Sequence, residues 1–192
     1  MASLRFSFRA SSLVVLVFGV GLTSGAALAG QVPVPKTDYE GVWKMDSGET
    51  MEFHYSAARH AMRMNMQSPD GKSYMVKDMG SGVTHMWSDE MPGMVMRMKG
   101  QAISDAPEAV KLDETKEIAG EICTVWAVKD GGHTCFTDDG IWVENTMNGA
   151  HVEVQSLARR TQDAALFEPP AGAQIMDMPG GGAGGRAPFA LQ

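Results

Sequence analysis

Two methionine runs, MRMNM at residues 62–66 and MVMRM at residues 94–98, place methionine at every second position. Alternation with period two is typical of a β-strand that has one face turned away from water. The stretch from Met62 to Met98 contains ten methionines in thirty-seven residues, where most proteins place Val, Ile or Leu. Both runs therefore predict strands whose thioether side chains face one shared interior.

Turn residues divide most of the chain into further short strands. Gly, Pro, Asp and Asn clusters recur about every 8–12 residues, which indicates an antiparallel meander in a mainly β domain. The Asn148-Gly149 pair predicts a type I′ hairpin, because both of its residues must adopt positive φ. Residues 101–110 are the candidate for a crossing loop or, at most, a short helix near 103–110. The predicted strands are 39–45, 50–55, 60–66, 73–78, 83–88, 94–99, 111–118, 121–128, 133–137, 141–147 and 151–161.

The first 29 residues have the pattern of an export signal. Arg5 and Arg9 precede the apolar run 12–20, and Ala27-Leu28-Ala29 fits the small-x-small rule for cleavage after Ala29. The run is shorter than the roughly 20 residues that span a bilayer, which argues against an uncleaved anchor. We therefore expect a periplasmic or secreted protein that is soluble after cleavage.

Composition divides the remainder into three parts. Residues 30–37, with Pro33 and Pro35, form an extended lead-in, and residues 38–178 form a single β-rich domain in which Leu166 and Phe167 pack back onto the sheet. Residues 179–192 are rich in glycine and too poor in apolar side chains to fold, which predicts a disordered tail.

The net charge limits the classes of partner. Cleavage removes two arginines and lowers the formal net charge from −7 to −9. Nucleic acids and anionic membranes require basic patches, so the charge argues against both. The negative charge is compatible with an apolar small molecule or a lipid as ligand, and with a transient partner at an envelope membrane. The charge does not determine the oligomeric state.

Cys123 and Cys135 are the only cysteines in the sequence. An even count in an exported protein favours a disulfide, which would stabilise the fold by roughly 3 kcal/mol for a loop of this size. A tight two-residue turn at Gly131-Gly132 would place Cys135 opposite Val128, so the bridge requires a wider loop or a bulge. Two free thiols are the alternative.

Three segments carry a resemblance to a known group of proteins. The segments are IAGEICTVW at 118–126, CFTDDGI at 135–141 and LFEPPAG at 166–172, and Arg63 and the Lys77-Asp78 turn match more loosely. They resemble an uncharacterised family of exported bacterial proteins related to the LolA-like domains of unknown function. The resemblance covers roughly residues 38–178 and implies an incomplete antiparallel β-barrel that holds a lipid or acyl chain.

The methionine strands are the candidate ligand-binding site. Methionine is unbranched and polarizable, so it suits an adaptable apolar surface that binds varied ligands. The function expected is therefore non-catalytic binding of a lipid or another apolar ligand, and the alternative for the same residues is ordinary core packing. The candidate lining residues are Met62, Met64, Met66, Met94, Met96 and Met98.

A soft-metal site is the alternative function. Thioethers are soft ligands that select Cu(I), and an M-x-M strand puts two sulfur atoms on one face. A reversible sink for oxidants is a third interpretation, because methionine sulfoxide can be reduced again. The candidate metal ligands are Met62, Met64, Met94, Met96 and His85.

The sequence offers little support for an enzyme. Asp89-Glu90 and Asp138-Asp139 are adjacent carboxylates, but both pairs fall at predicted turns, where Asp is common. No nucleophile elbow, phosphate-binding loop or zinc motif is found in the sequence. We therefore expect neither catalysis nor a cofactor.

Overall fold

The computed structural model describes residues 29–69, 71–100, 102, 109–128 and 131–178. Within these residues the chain forms thirteen β-strands and one 3-10 helix, Ala164–Phe167, which confirms the prediction of a mainly β protein. The strands are β1 (Ala29–Gly30), β2 (Tyr39–Met45), β3 (Thr50–Ser56), β4 (Ala61–Ser68), β5 (Gly71–Asp78), β6 (Val83–Ser88), β7 (Met94–Lys99), β8 (Ala109–Ile118), β9 (Glu121–Val128), β10 (His133–Thr137), β11 (Trp142–Met147), β12 (Ala150–Ala158) and β13 (Gln174–Asp177).

All thirteen strands belong to one sheet, in the order β1-β8-β9-β10-β11-β12-β2-β3-β4-β5-β6-β7-β13. Strands β2 to β7 form one antiparallel meander and β8 to β12 form another, and the two meanders join where β12 pairs with β2. Strand β13 is parallel to β7. The sheet ends at β1 on one side and at β13 on the other, so it stays open, as the predicted incomplete barrel requires.

Two details of the second meander bear on the sequence predictions. Asn148 and Gly149 have φ values of 53° and 80°, so the predicted hairpin turn between β11 and β12 is confirmed. Strand β12 ends at Ala158 and not at the predicted residue 161. Past Ala158 the chain leaves the sheet: the Arg159 side chain binds Glu121 at 2.8 Å and Asp139 at 2.7 Å, and the Gln162 N–H donates to the Asp38 carboxylate and not to a strand.

Aromatic side chains fill the main core where the two meanders meet. Trp43 is fully buried, and its ring centroid lies 4.9 Å from that of Phe53 and 5.0 Å from that of Trp142. Tyr39 and Tyr55 stack beside them at 5.4 Å. The remaining buried members of this cluster are Cys123, Val125, Cys135, Ile141, Val143 and Val154.

Residues 159–168, which we call the crossing segment, run from β12 across one face of the first meander. The backbone N–H of Gln162 donates to Asp38 at 3.1 Å, and the Gln162 side chain contacts His54 at 2.9 Å. Phe167 and Leu166 then pack with Ala61, which lies on β4. The prediction that Leu166 and Phe167 pack back onto the sheet is confirmed.

Several predictions fall on residues outside the described part of the chain. These are the export signal up to residue 28, the tail 179–192 and residues 103–108 of the short helix, whereas Ala109 and Val110 already belong to β8. The predicted cleavage position after Ala29 falls inside β1, whose two residues pair with β8. The described residues include no helix with the length and apolarity that crossing a membrane requires.

Candidate functional site

The methionines of the first meander share one face of the sheet. Strands β3 to β7 pair without a register shift, so directly opposed residues lie on the same face throughout. We call this surface of β4 to β7 and β13 the methionine face. Its methionines are Met62, Met64, Met66, Met75, Met86, Met94, Met96, Met98 and Met176.

Five of these methionines form an unbroken line across five neighbouring strands, which we call the methionine row. Met64 lies opposite Met75, Met75 opposite Met86, Met86 opposite Met96, and Met96 opposite Met176. Directly opposed residues have Cβ atoms about 4.5–5.5 Å apart, so each side chain can touch the next. The row therefore places five thioether side chains next to one another across the strands.

The six predicted lining residues all lie on this face, but they do not meet. Met62, Met64 and Met66 are on β4, and the second run is on β7, with β5 and β6 between them. Three strand spacings separate Met64 from Met96, which is about 14 Å at the usual spacing. The two runs therefore flank the site, and β5 and β6 supply its centre.

The predicted lining did not include that centre, Met75 and Met86, or the edge residue Met176. The indication was present in the spacing, because Met64, Met75, Met86 and Met96 are separated by 11, 11 and 10 residues. When the hairpins of a meander have equal length, residues separated by that length lie opposite one another on successive strands. Methionine at every second position within one strand predicts which face of the sheet the side chains share. Methionine repeated at intervals of one hairpin predicts which residues lie opposite one another on neighbouring strands.

The row begins at the main core and ends at the sheet edge. Phe53, which is 5% exposed, lies opposite Met64, and Met64 packs against the main core cluster. Beyond it Met75, Met86 and Met96 belong to neither core cluster of the described residues, although Met86 is 7% exposed. At the edge, Met176 is 37% exposed.

The crossing segment covers part of the opposite face of the first meander, around Ala61 on β4 and Val76 on β5. Arg63 lies on that face, where its guanidinium sits 5.0 Å from the Tyr74 ring centroid and 5.6 Å from that of Trp87. It also donates a 2.8 Å hydrogen bond to the carbonyl of Leu166. Burial lowers the pKa of Arg63 from its ordinary value, and the aromatic rings and the carbonyl compensate the charge.

A few polar groups lie on or beside the methionine face. Lys77 is half-buried opposite Met62 and Thr84, and it is the only charged residue on this face in β4 to β7. The Ser88 Oγ, in line with Met66, is buried and has no hydrogen-bond partner among the described residues. The same is true of the two core atoms Trp43 Nε1 and Tyr55 Oη, which lie on the same side of the sheet.

The structure does not bring the five candidate metal ligands together. His85 pairs with Val76 and Arg97, which places it on the face opposite the methionines. Burial and the nearby Arg97 charge lower the pKa of His85. Among the described residues no three His, Cys, Asp or Glu side chains cluster in a way that could hold a metal ion.

The carboxylate pairs both lie in turns, as predicted. Asp89-Glu90 connects β6 to β7, and Asp138-Asp139 connects β10 to β11. Hydrogen bonds, chiefly those that Arg159 donates and also that from Thr137, lower the pKa of Asp139 to about 2. Asp139 thus links its turn to the start of the crossing segment.

The predicted disulfide between Cys123 and Cys135 is present, with the Cα atoms 5.5 Å apart. The backbone N–H of Val128 bonds to the carbonyl of Gly132, so the loop is wider than a two-residue turn. Disulfides persist in oxidising compartments, and the bond is therefore consistent with an exported protein.

Comparisons with known proteins show similarity at the level of the fold. No protein-family model and no curated protein matches the sequence. PNGF-II, solved in space group C2, superposes with a TM-score of 0.55 at 13% identity, over 74% of this chain and 31% of its own. Its structure in space group P21 gives a TM-score of 0.54 at 12% identity, over 74% of this chain and 32% of that one.

An uncharacterised conserved protein from Thermus thermophilus is comparable in size. It superposes with a TM-score of 0.55 at 9% identity, over 74% of this chain and 91% of that chain. The present chain thus spans about a third of PNGF-II and nearly all of the Thermus protein. At these identities the likeness shows a shared β fold alone.

Proposed function

We propose that this chain is an exported, non-catalytic binding protein that holds a lipid or another apolar ligand against its methionine face. The observation that carries the proposal is the methionine row, which extends the apolar surface from Phe53 in the core to Met176 at the sheet edge. Thioether side chains can repack around ligands of different shape because they are unbranched and polarizable.

The position of the crossing segment supports this assignment. Its Phe167 and Leu166 pack on part of the opposite face, and its Leu166 carbonyl accepts a hydrogen bond from Arg63 on that face. On the methionine face, Met64, Met75 and Met96 are only half-buried and Met176 is exposed, and apolar area left in water is unfavourable. An apolar ligand of extended shape would cover that area along the row.

The unpartnered polar atoms favour a ligand that also carries polar groups. Buried hydroxyl and indole groups are normally hydrogen-bonded, yet Ser88 Oγ, Tyr55 Oη and Trp43 Nε1 have no partner among the described residues. Ligand sites are commonly apolar with a small number of such groups that set orientation. Lys77 adds one positive charge to the same surface.

Export rests on the sequence and on the disulfide. Residues 1–29 have the pattern of a cleaved signal, and the Cys123–Cys135 bond suits an oxidising compartment such as the periplasm. The resemblance to LolA-like domains agrees with lipid binding by analogy. The intact mass of the chain from the exported fraction tests this part, and a mass that retains residues 1–29 would contradict it.

Binding can be tested with the neutral apolar dye N-phenylnaphthylamine and with native mass spectrometry of gently purified protein. We expect the dye to bind and a long-chain lipid to displace it. Replacing Met75 and Met96 together by Gln should weaken dye binding by about tenfold or more, because polar amides replace apolar contacts at the centre of the row.

The matched control is Met147→Gln, which makes the same change at a methionine on β11 that is 45% exposed. It should leave dye binding unchanged. If the wild-type chain binds neither dye nor lipid, or if the control and the double variant lose the same affinity, the methionine face is not a ligand site.

A further inference from the structure

The methionine row places methionine side chains closer together than either predicted run does. Within one strand, alternate residues are about 6.6 Å apart at Cα, whereas directly opposed residues on adjacent strands have Cβ atoms about 4.5–5.5 Å apart. Met86 has such a neighbour on both sides, Met75 on β5 and Met96 on β7. With three rotatable bonds each, these three side chains can direct their sulfur atoms to one point.

The other side chains on the methionine face determine which metal ion three converging thioethers would bind. Thioethers are soft, neutral ligands that select Cu(I), whereas Ca²⁺, Mg²⁺ and Zn²⁺ need carboxylate, imidazole or thiolate. In β4 to β7 this face carries no carboxylate and no histidine, and its one charge is that of Lys77. Because Lys77 is positive and the thioethers are neutral, a monovalent ion is repelled less on this face than a divalent ion.

The cysteines do not compete for such an ion, because both are joined in the disulfide. We infer that Met75, Met86 and Met96 together form a binding site for a soft monovalent metal ion of the Cu(I) class. Met64 and Met176 continue the row on either side and supply the neighbouring thioethers along which an ion can enter. This site goes beyond the proposed function, since it requires sulfur and not merely an apolar surface.

Ag(I) is the probe of choice, because it is soft, monovalent and stable in air. The full exported chain, in chloride-free buffer, should bind Ag(I) with a defined stoichiometry in native mass spectra and should not bind Zn(II). In a sample whose methionine methyl groups carry ¹³C, Ag(I) should shift the signals of Met75, Met86 and Met96 first. Cu(I) competition against a cuprous chelator then measures the affinity.

Replacing the three residues by Leu separates the metal site from the apolar-ligand site. Leu keeps the volume and the apolar character of Met but removes the sulfur. We expect the triple variant to lose more than about tenfold in Ag(I) and Cu(I) affinity, and its dye affinity to change much less, since Leu keeps the apolar contact. Met91→Leu with Met147→Leu is the control, since both residues are exposed and lie outside the row, and it should bind metal like the wild type.

Each outcome bears on one of the two proposals. Dye binding without Ag(I) binding, or Ag(I) binding that survives in the triple variant, overturns the metal site and leaves the proposed function standing. Ag(I) binding that the triple variant loses, in a chain that binds neither dye nor lipid, supports the metal site and overturns the proposed function. Should the triple variant fail to fold, Met75→Leu and Met96→Leu singly, at half-buried positions, give the same comparison.

Discussion

Cys123 and Cys135 lie diagonally across β9 and β10, with Cys135 opposite Val125 and Cys123 opposite Thr137. Their Cα atoms are 5.5 Å apart, within the usual range for a disulfide. The bond therefore ties together two strands that already pair, in the buried part of the sheet where both cysteines are at most 2% exposed.

Replacing both cysteines by Ala should lower the free energy of unfolding by about 3 kcal/mol, because the bond closes a short loop in the unfolded chain. Urea denaturation of the wild type and the Cys123→Ala/Cys135→Ala variant measures the difference. Reductant should shift the midpoint of the wild type and leave that of the variant unchanged. Equal midpoints for the two oxidised proteins would show that the bond contributes nothing.

Much of the fold could be predicted because it depends on local rules. The bounds 39–45, 83–88, 94–99, 121–128 and 133–137 match β2, β6, β7, β9 and β10. In these segments period-two alternation and Gly, Asp or Asn turns act within a few residues. Positive φ at Asn148 and Gly149 follows the same local logic.

What could not be predicted depends on contacts between residues distant in sequence. Strands β1 and β13 are two and four residues long, and each is defined by an edge partner, β8 or β7, that no local pattern reveals. The face on which His85 lies depends on the register between β5 and β6. The centre of the methionine row was indicated by the spacing of its methionines, but only the pairing of four strands shows that they lie opposite one another.

Arg63→Lys should destabilise the chain by about 1–2 kcal/mol, although the charge is kept. The planar guanidinium contacts Tyr74 and Trp87 and donates to Leu166 and Asn65, whereas an ammonium group cannot make all four contacts at once. Urea denaturation gives the magnitude. Faster hydrogen exchange in the crossing segment would identify the lost hydrogen bond as the cause.

Arg97→Lys is the matched control. Arg97 lies on the same face as Arg63, in line with it across the strands, but it is exposed and pairs with Asp177. Solvent screens exposed ion pairs strongly, so this control should leave the free energy of unfolding almost unchanged. Losses of equal size in the two variants would mean that the aromatic and carbonyl contacts of Arg63 do not stabilise the crossing segment.

The ion pair between Arg159 and Asp139 should make stability depend on pH at the acidic end. Asp139 has a pKa lowered to about 2, chiefly by the hydrogen bonds from Arg159, from an ordinary value of 3.8. Its contribution is therefore fully present above about pH 4 and is lost as the pH falls toward 2. Because the carboxylate is partly exposed, the contribution at pH 7 is about 1–2 kcal/mol.

Urea denaturation of the wild type and Asp139→Asn at pH 7, 4 and 2.5 measures this dependence. The difference in unfolding free energy should be largest at pH 7 and shrink below pH 4. Asp138→Asn, an identical change at the exposed neighbour in the same turn, should show no such trend. A difference that stays constant from pH 7 to pH 2.5 would exclude the Asp139 charge as its source.

Lys77 should give the proposed ligand site a preference for an anionic head group. Its side chain starts from the methionine face beside Met62, Thr84 and Met75, and it is the only charged side chain on that face in β4 to β7 that a carboxylate bound along the row could pair with. A charge-assisted hydrogen bond in a partly desolvated site contributes about 1.5–3 kcal/mol, which corresponds to about tenfold or more in affinity. The wild type should therefore bind laurate more tightly than lauryl alcohol in dye-displacement titrations.

Lys77→Gln should lower the affinity for laurate by about tenfold and leave that for lauryl alcohol unchanged, since only laurate carries the charge. Lys72→Gln is the matched control, because Lys72 is on the same strand with its side chain on the opposite face. If both substitutions weaken laurate equally, long-range attraction by net charge explains the preference. If neither does, and both ligands bind the wild type equally well, the methionine face selects its ligand by apolar contact alone.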